Sequence, residues 1–149
     1  MPVIYQYTKI ITQGPNGTTV GFKQTDGAES QPLELCTIDD VTYISVPDGY
    51  VIEEQPSEIG FTQTVLTDAL MESIKANSRA IQLITERVQC RIREKYSLED
   101  EQYFARIGVG ASLGVYTFLP GEQDTLVAFG NYVEECRQYG KTQRAEFGL

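Results

Sequence analysis

An apolar stripe with heptad-like spacing runs through the middle of the chain and constrains the fold more than any other feature. Its members are separated by four and three residues in alternation: Leu70, Ile74, Asn77, Ile81, Ile84, Val88 and Arg91. This spacing places them along one side of an α-helix. The pattern predicts one long helix over residues 65–96, with Thr67 as its N-cap and basic residues near its C-terminal end.

Two interpretations of the stripe are open at this point. A helix of about 30 residues is about 45 Å long, and it either packs inside its own chain or joins copies of the protein. Isoleucine at core positions of a heptad favours three strands over two, and a buried asparagine fixes the register. Only short helices follow in the sequence, and none of them is long enough to cover this helix. The mismatch between the helix lengths favours a parallel homotrimer, whose interface would comprise Leu70, Ile74, Asn77, Ile81, Ile84 and Val88.

Residues 1–55 are predicted to form antiparallel β-hairpins. Residues 3–12 are rich in β-branched and aromatic side chains, which suit strands. Asn16-Gly17 then provides a turn before a short strand over residues 18–22. A second hairpin pairs residues 33–36 with residues 41–46 around a turn at Asp39-Asp40. Since this second hairpin carries apolar groups on both faces, we expect it to be covered on two sides or paired with another chain.

The remaining segments complete an α+β prediction. Residues 56–64 read as a polar linker bracketed by Pro56 and Gly60. Ser97 is placed to cap a helix that stops at Gly108, and a last helix is expected over residues 124–139. Residues 142–149 are expected to fray. The predicted organisation is a β-rich docking region (1–55), a linker (56–64), a long helix (65–96) and a small C-terminal helical bundle (97–149).

Composition narrows the chemistry. The chain contains no histidine, which removes histidine-activated nucleophiles and histidine-dependent zinc motifs. Its net charge is −9, so phosphate backbones are repelled and no nucleic-acid partner is expected. The first 60 residues contain two basic and nine acidic residues, a bias that favours a basic or polar partner surface.

Neither a membrane-spanning stretch nor a secretory signal is expected. Three widely spaced cysteines fit free thiols in a reducing cytoplasm.

Three motifs invite a chemical interpretation, and each has a simpler one. The glycines at 108, 110 and 114 do not match a dinucleotide fingerprint in spacing or position and indicate a flexible connection instead. Adjacent acids suit turns, helix caps and solvated surfaces, because neighbours on a strand point to opposite faces. The basic residues near Lys95 are interleaved with glutamates, which favours salt bridges over RNA binding. The sequence therefore predicts no catalytic residue, no metal ligand and no cofactor.

Residues 92–101, with the sequence IREKYSLEDE, resemble a corner found in small tail, baseplate and fibre-associated proteins of tailed bacteriophages. In that pattern a short helix follows the corner, and then an aromatic and acidic helix ends near Cys-Arg, as in residues 132–137 here (YVEECR). The resemblance extends loosely to residues 35–38 and 41–43. The glycine-rich segment at 108–114 departs from the pattern.

The resemblance implies a non-enzymatic structural protein of a phage tail, in the baseplate or as a tail-fibre adaptor. Other phage tail proteins and further copies of the chain would be its partners, and it would be assembled in the host cytoplasm and reside in the virion. Two alternatives are a tail-fibre assembly chaperone, which would be absent from the particle, and a small cytoplasmic enzyme that uses carboxylates and a metal.

Overall fold

Six short strands precede four helices in the computed structural model, which describes all 149 residues. The elements in chain order are β1 Val3–Thr8, β2 Ile10–Ile11, β3 Thr19–Val20, β4 Leu33–Ile38, β5 Val41–Val46, a 3-10 helix Ser57–Ile59, β6 Thr62–Gln63, α1 Asp68–Asn77, α2 Arg79–Lys95, α3 Leu98–Ser112 and α4 Glu122–Ala145. The mixed α+β class predicted from the sequence is confirmed. None of the helices combines the length and the apolar character that crossing a membrane requires.

The chain divides into two units. Unit 1 comprises residues 1–83 and 143–149, and unit 2 comprises residues 84–142. Both α2 and α4 therefore contribute residues to each unit. This division differs from the predicted one, which separated the strands from the long helix and placed the whole C-terminal region together.

Unit 1 is built on a four-stranded sheet with the strand order β4-β5-β1-β6. β5 pairs antiparallel with β1 and with β4, and a register shift falls between Glu34 and Cys36. Asp39 and Asp40 form the β4–β5 turn with φ of 48° and 66°. Aspartate tolerates this left-handed backbone, which two-residue hairpin turns require. The predicted turn at these two residues is confirmed. β2 and β3 form a separate two-stranded ribbon.

Both faces of the sheet are covered by residues of unit 1. On one face, Ile4, Leu35 and Tyr43 enclose Ile74 of α1. On the other face, Tyr7, Ile44 and Val46 form a cluster around the 3-10 helix, with several aromatic rings packed against it. The apolar residues on both faces of the second hairpin are thus accounted for inside one chain.

The segment predicted to be a linker, residues 56–64, belongs to the sheet unit. Ile59 is buried in the second cluster. The Phe61 ring stacks on Tyr5 with a centroid distance of 4.8 Å, and β6 extends the sheet beside β1. The polar composition concealed this role, because the segment contributes only two large apolar side chains, Ile59 and Phe61, to the packing.

The predicted long helix is interrupted at Ser78. Thr67 caps α1 as expected and accepts a hydrogen bond from the Leu70 N–H at 3.2 Å. Ser78 then adopts an extended conformation with φ −83° and ψ 117°. α1 is about 15 Å long and packs on the sheet through Ile74, whereas α2 begins at Arg79 and continues into unit 2.

The C-terminal residues are docked, contrary to the expectation that they fray. Phe147 and Leu149 pack against the cluster that contains Ile4 and Ile74. Gly148 lies so close to the N-terminal strand that a Cβ at this position would be 2.9 Å from the Pro2 carbonyl oxygen. The polar stretch before them gave no sign of this anchoring.

Unit 2 contains the C-terminal part of α2, α3 and most of α4. Its aromatic rings meet around Tyr96, which makes edge contacts with Phe104 and Phe129 at centroid distances of 6.0 and 5.1 Å. The Lys95 ammonium lies 4.3 Å from the Tyr132 ring centroid, a favourable cation–π arrangement. α3 continues to Ser112, four residues past the predicted stop at Gly108, and α4 is longer than predicted at both ends.

Replacing Ile74 by Ala tests the packing of α1 on the sheet. The side chain is fully buried, so its truncation removes apolar contacts and leaves a cavity. We expect a loss of about 2–5 kcal/mol in the free energy of unfolding, measured by urea denaturation. Val65→Ala is the control, because Val65 is 84% exposed, and it should be nearly neutral. Equal effects of the two substitutions would contradict the packing described here.

Candidate interaction site

The residues predicted to form an oligomer interface are distributed over two helices. Ile74, Ile81 and Ile84 are buried within the chain, and Leu70 and Val88 are half-buried. Asn77 is exposed, and its side-chain amide donates to the Ser73 carbonyl of the same helix at 2.8 Å. The three isoleucines are therefore buried in the single chain, and the homotrimer expected from this stripe stays a prediction.

The other motifs weighed in the sequence occupy structural positions. Gly108 and Gly110 lie inside α3, not in a loop before a helix. Asp39-Asp40 form a turn, whereas the acids at 99–101 occupy the first turn of α3. No group of three His, Cys, Asp or Glu side chains is arranged to hold a metal ion.

Unit 1 displays acidic side chains around a cleft of about 410 Å³ between residues 25–30 and residues 48–51. Asp26, Glu29 and Asp48 line it. The Asp48 carboxylate is paired with the N-terminal amine at 3.2 Å, and both groups are largely exposed to solvent. Three of the nine acidic residues in the first 60 thus lie at this cleft.

A different kind of surface lies in unit 2, where residues 107–121 contain no charged side chain. This segment comprises the C-terminal end of α3 and the loop that leads to α4. Four aliphatic side chains in it are 58%, 71%, 78% and 65% exposed: Val109, Leu113, Val115 and Leu119. Such a concentration of exposed aliphatic residues on one segment is typical of contact surfaces for other proteins.

Hydrogen bonds to one carboxylate fix this loop. Glu122, at the start of α4, accepts from the hydroxyls of Tyr103 and Tyr116, with the Tyr116 oxygen 2.7 and 2.8 Å from the two carboxylate oxygens. The Leu119 N–H donates to the same carboxylate at 2.9 Å. α3, the loop and α4 are therefore tied together at a single side chain.

The same hydrogen bonds perturb the ionisation of the cluster. The hydroxyl of Tyr103, the Leu119 N–H and the hydroxyl of Tyr116 lower the pKa of the Glu122 carboxyl. In return, the hydrogen bond to the Glu122 carboxylate raises the pKa of Tyr116 to about 12. Across the neutral pH range, Glu122 therefore stays ionised and Tyr116 stays protonated, as their hydrogen bond requires.

The loop also folds back on the end of α3. The Gly110 carbonyl accepts from the Val115 N–H at 2.9 Å and from the Tyr116 N–H at 3.1 Å. A Cβ at Gly110 would be only 2.8 Å from the Tyr116 Cβ, so a side chain there would push the loop away. Glycine at 110 permits this approach, and the aliphatic side chains are presented on an ordered loop rather than on a flexible one.

Residues 92–101 form the corner between α2 and α3. Ser97 and Asp100 make a complete capping box, in which the Ser97 Oγ accepts from the Asp100 N–H at 3.1 Å and the Asp100 carboxylate accepts from the Ser97 N–H at 2.8 Å. Hydrogen bonds from Ser97 lower the pKa of Asp100. The predicted near capping box is confirmed.

The sequence did not predict that residues 109–119 form an exposed aliphatic surface, because the glycines suggested a flexible connection. The available signal was the run of fifteen uncharged residues in a chain of net charge −9.

Comparisons with protein-family models, with curated proteins and with solved structures find no match for this chain.

Two glycine substitutions in α3 distinguish an ordered loop from a flexible one. At both positions alanine favours the helix by about 1 kcal/mol. A Cβ at Gly108 would lie at an ordinary 3.5 Å from Leu126, whereas a Cβ at Gly110 meets Tyr116. We expect Gly110→Ala to be less stable than Gly108→Ala by about 1–3 kcal/mol, measured by urea denaturation. Equal stabilities would show that the loop does not pack on α3.

Glu122→Gln should change how stability depends on pH. Because the pKa of Glu122 is lowered in the folded state, its stabilisation is present above the unfolded value of about 4.5 and is lost as the pH falls through the folded pKa. The difference in unfolding free energy between wild type and Glu122→Gln should therefore be largest near pH 7 and shrink below pH 4.5. Thermal unfolding across pH 3–8 measures it. A difference that grows on acidification would contradict the role given to this carboxylate.

Proposed function

We propose that this protein is an assembly component of a bacteriophage tail, acting through protein–protein contacts in the baseplate or as a fibre adaptor. The phage context rests on the resemblance of residues 92–101 and 132–137 to tail-associated proteins. The mode of action rests on the surface of unit 2. Association of copies with one another is part of the same proposal.

The observation that carries the proposal is the exposure of aliphatic side chains on an ordered segment. Val115 is 78% exposed to water and Leu113 is 71% exposed. Their burial against a partner releases about 25 cal/mol per Å² of apolar surface. Since the loop is already held by Glu122, little conformational entropy is lost when a partner binds, which favours affinity.

The acidic unit 1 suits a second contact. Its carboxylates at the cleft and along the β4–β5 turn give a partner with basic side chains a complementary field, and such fields raise association rates and select partners. Two surfaces of different character, one aliphatic and one acidic, fit a protein that joins two other components.

Mass spectrometry of purified phage particles tests the biological context. The proposal expects peptides of this chain at a fixed stoichiometry to known tail proteins after density-gradient purification. A chain found in the infected-cell lysate but absent from the particles would be an assembly chaperone instead. That result would contradict the structural role.

A charged side chain in the aliphatic surface tests the mode of action. We expect Val115→Asp to reduce incorporation into particles at least tenfold, because an aspartate would be desolvated in the contact. Val65→Asp is the matched control, since Val65 is 84% exposed but lies in unit 1. Thermal unfolding of both purified variants verifies that the fold is retained. Normal incorporation of folded Val115→Asp would show that this loop is not the contact surface.

A further inference from the structure

The solvent side of α3 carries a mainly apolar stripe of its own. Phe104 and Ile107 of this helix are buried. The residues of the stripe are instead all exposed, and they follow one another at intervals of four or three: Leu98, Gln102, Ala105, Val109 and Leu113. α3 therefore has apolar side chains on two sides, and only one of these sides is covered within the chain.

The spacing of the stripe on α3 fits another helix. Intervals of four and three residues place side chains along the line on which two helices pack. The stripe is about 22 Å long, and the small side chain of Ala105 near its centre allows close approach. A β-strand is a poor occupant, because the backbone groups of a helix are paired internally and offer no free edge.

The stripe is complementary to itself when two copies of α3 lie antiparallel. Suppose that Leu98 of one copy packs against Val109 of the other. Four residues forward on the first helix and four residues back on the second, Gln102 then meets Ala105. Each contact occurs twice about a two-fold axis and joins a longer side chain to a shorter one, as close packing requires.

The charges beside the stripe match in the same register. Glu99 and Arg106 each directly follow a residue of the stripe and are two helical turns apart, so they lie on the same flank. Neither forms an ion pair within its own chain. In the antiparallel pair, Glu99 of each copy lies beside Arg106 of the other, at the positions where packed helices exchange ion pairs. A face whose apolar residues and charges both complement themselves points to a second copy.

We propose that two copies of this protein associate through the outer face of α3 as an antiparallel, two-fold symmetric dimer. This inference rests on the proposed assembly function and names the surface by which two copies join. All residues of the contact belong to unit 2. Because the contact follows a single helix, it is small compared with standard interfaces, and the dimer is weak and depends on the protein concentration.

Charge reversal at the two flanking positions tests the antiparallel register. Glu99→Lys places a lysine beside Arg106 of the second copy, and Arg106→Glu places a glutamate beside Glu99. Each reversal replaces two attractions by two repulsions, so we expect each variant alone to dimerise about tenfold more weakly than wild type. An equimolar mixture of the two variants should regain the wild-type association constant, because the mixed dimer again pairs unlike charges. Sedimentation equilibrium measures these constants, and a mixture that dimerises no better than its components would overturn the proposed register.

A pair of valine substitutions tests the stripe itself. We expect Val109→Asp to lower the association constant by about tenfold or more, because the aspartate would be desolvated against Leu98 of the second copy. Val127→Asp is the matched control, since Val127 is a similarly exposed valine on another helix, α4, and it should leave the constant unchanged. Thermal unfolding of each variant verifies that the fold is retained.

Two results would overturn the dimer. One is equal dimerisation of the two valine variants, which would place association on another surface. The other is a wild type that stays monomeric up to millimolar concentration. Particle incorporation tests the proposed function separately, because a chain that is monomeric in solution can still be built into a tail.

Discussion

The packing of α1 on the sheet is the interaction on which unit 1 depends. Ile74 is completely buried among Ile4, Leu35 and Tyr43. The helix ends at Asn77, and the extended Ser78 separates it from α2. The apolar stripe is therefore divided between two helices, and α2 contributes residues to both units.

Local chemistry in the sequence predicted the elements that depend on neighbouring residues. The Asp39-Asp40 turn, the Thr67 cap and the Ser97 corner are all set by hydrogen bonds or backbone preferences within a few residues, and the structure contains each of them. The features that sequence reasoning missed depend on distant partners. The heptad spacing around Ser78 is compatible with a straight helix, and no glycine or proline nearby signals the break. Ile59 and Phe61 anchor one polar segment, and Phe147 and Leu149 anchor the other. Periodicity does not reveal such isolated apolar anchors.

The candidate interaction surface was not predicted for the same reason, because it depends on contacts between residues that are distant in the sequence. Glycine at 110 suggested flexibility, yet its role is to admit Tyr116 at close range. Glu122 looked like an ordinary acid in the first turn of a helix, but it collects hydrogen bonds from residues nineteen and six positions earlier in the chain. An ordered loop with exposed aliphatic side chains is therefore built from residues whose types alone suggest a linker.

The most direct test of this account is the backbone NMR chemical shifts of residues 68–95 in dilute, monomeric protein. Carbon shifts report the backbone conformation of each residue separately. The account predicts helical Cα and Cβ shifts over residues 68–77 and 79–95, with extended values at Ser78. Uninterrupted helical shifts through Ser78 in the monomer would contradict it, because the stripe would then lie on one continuous helix.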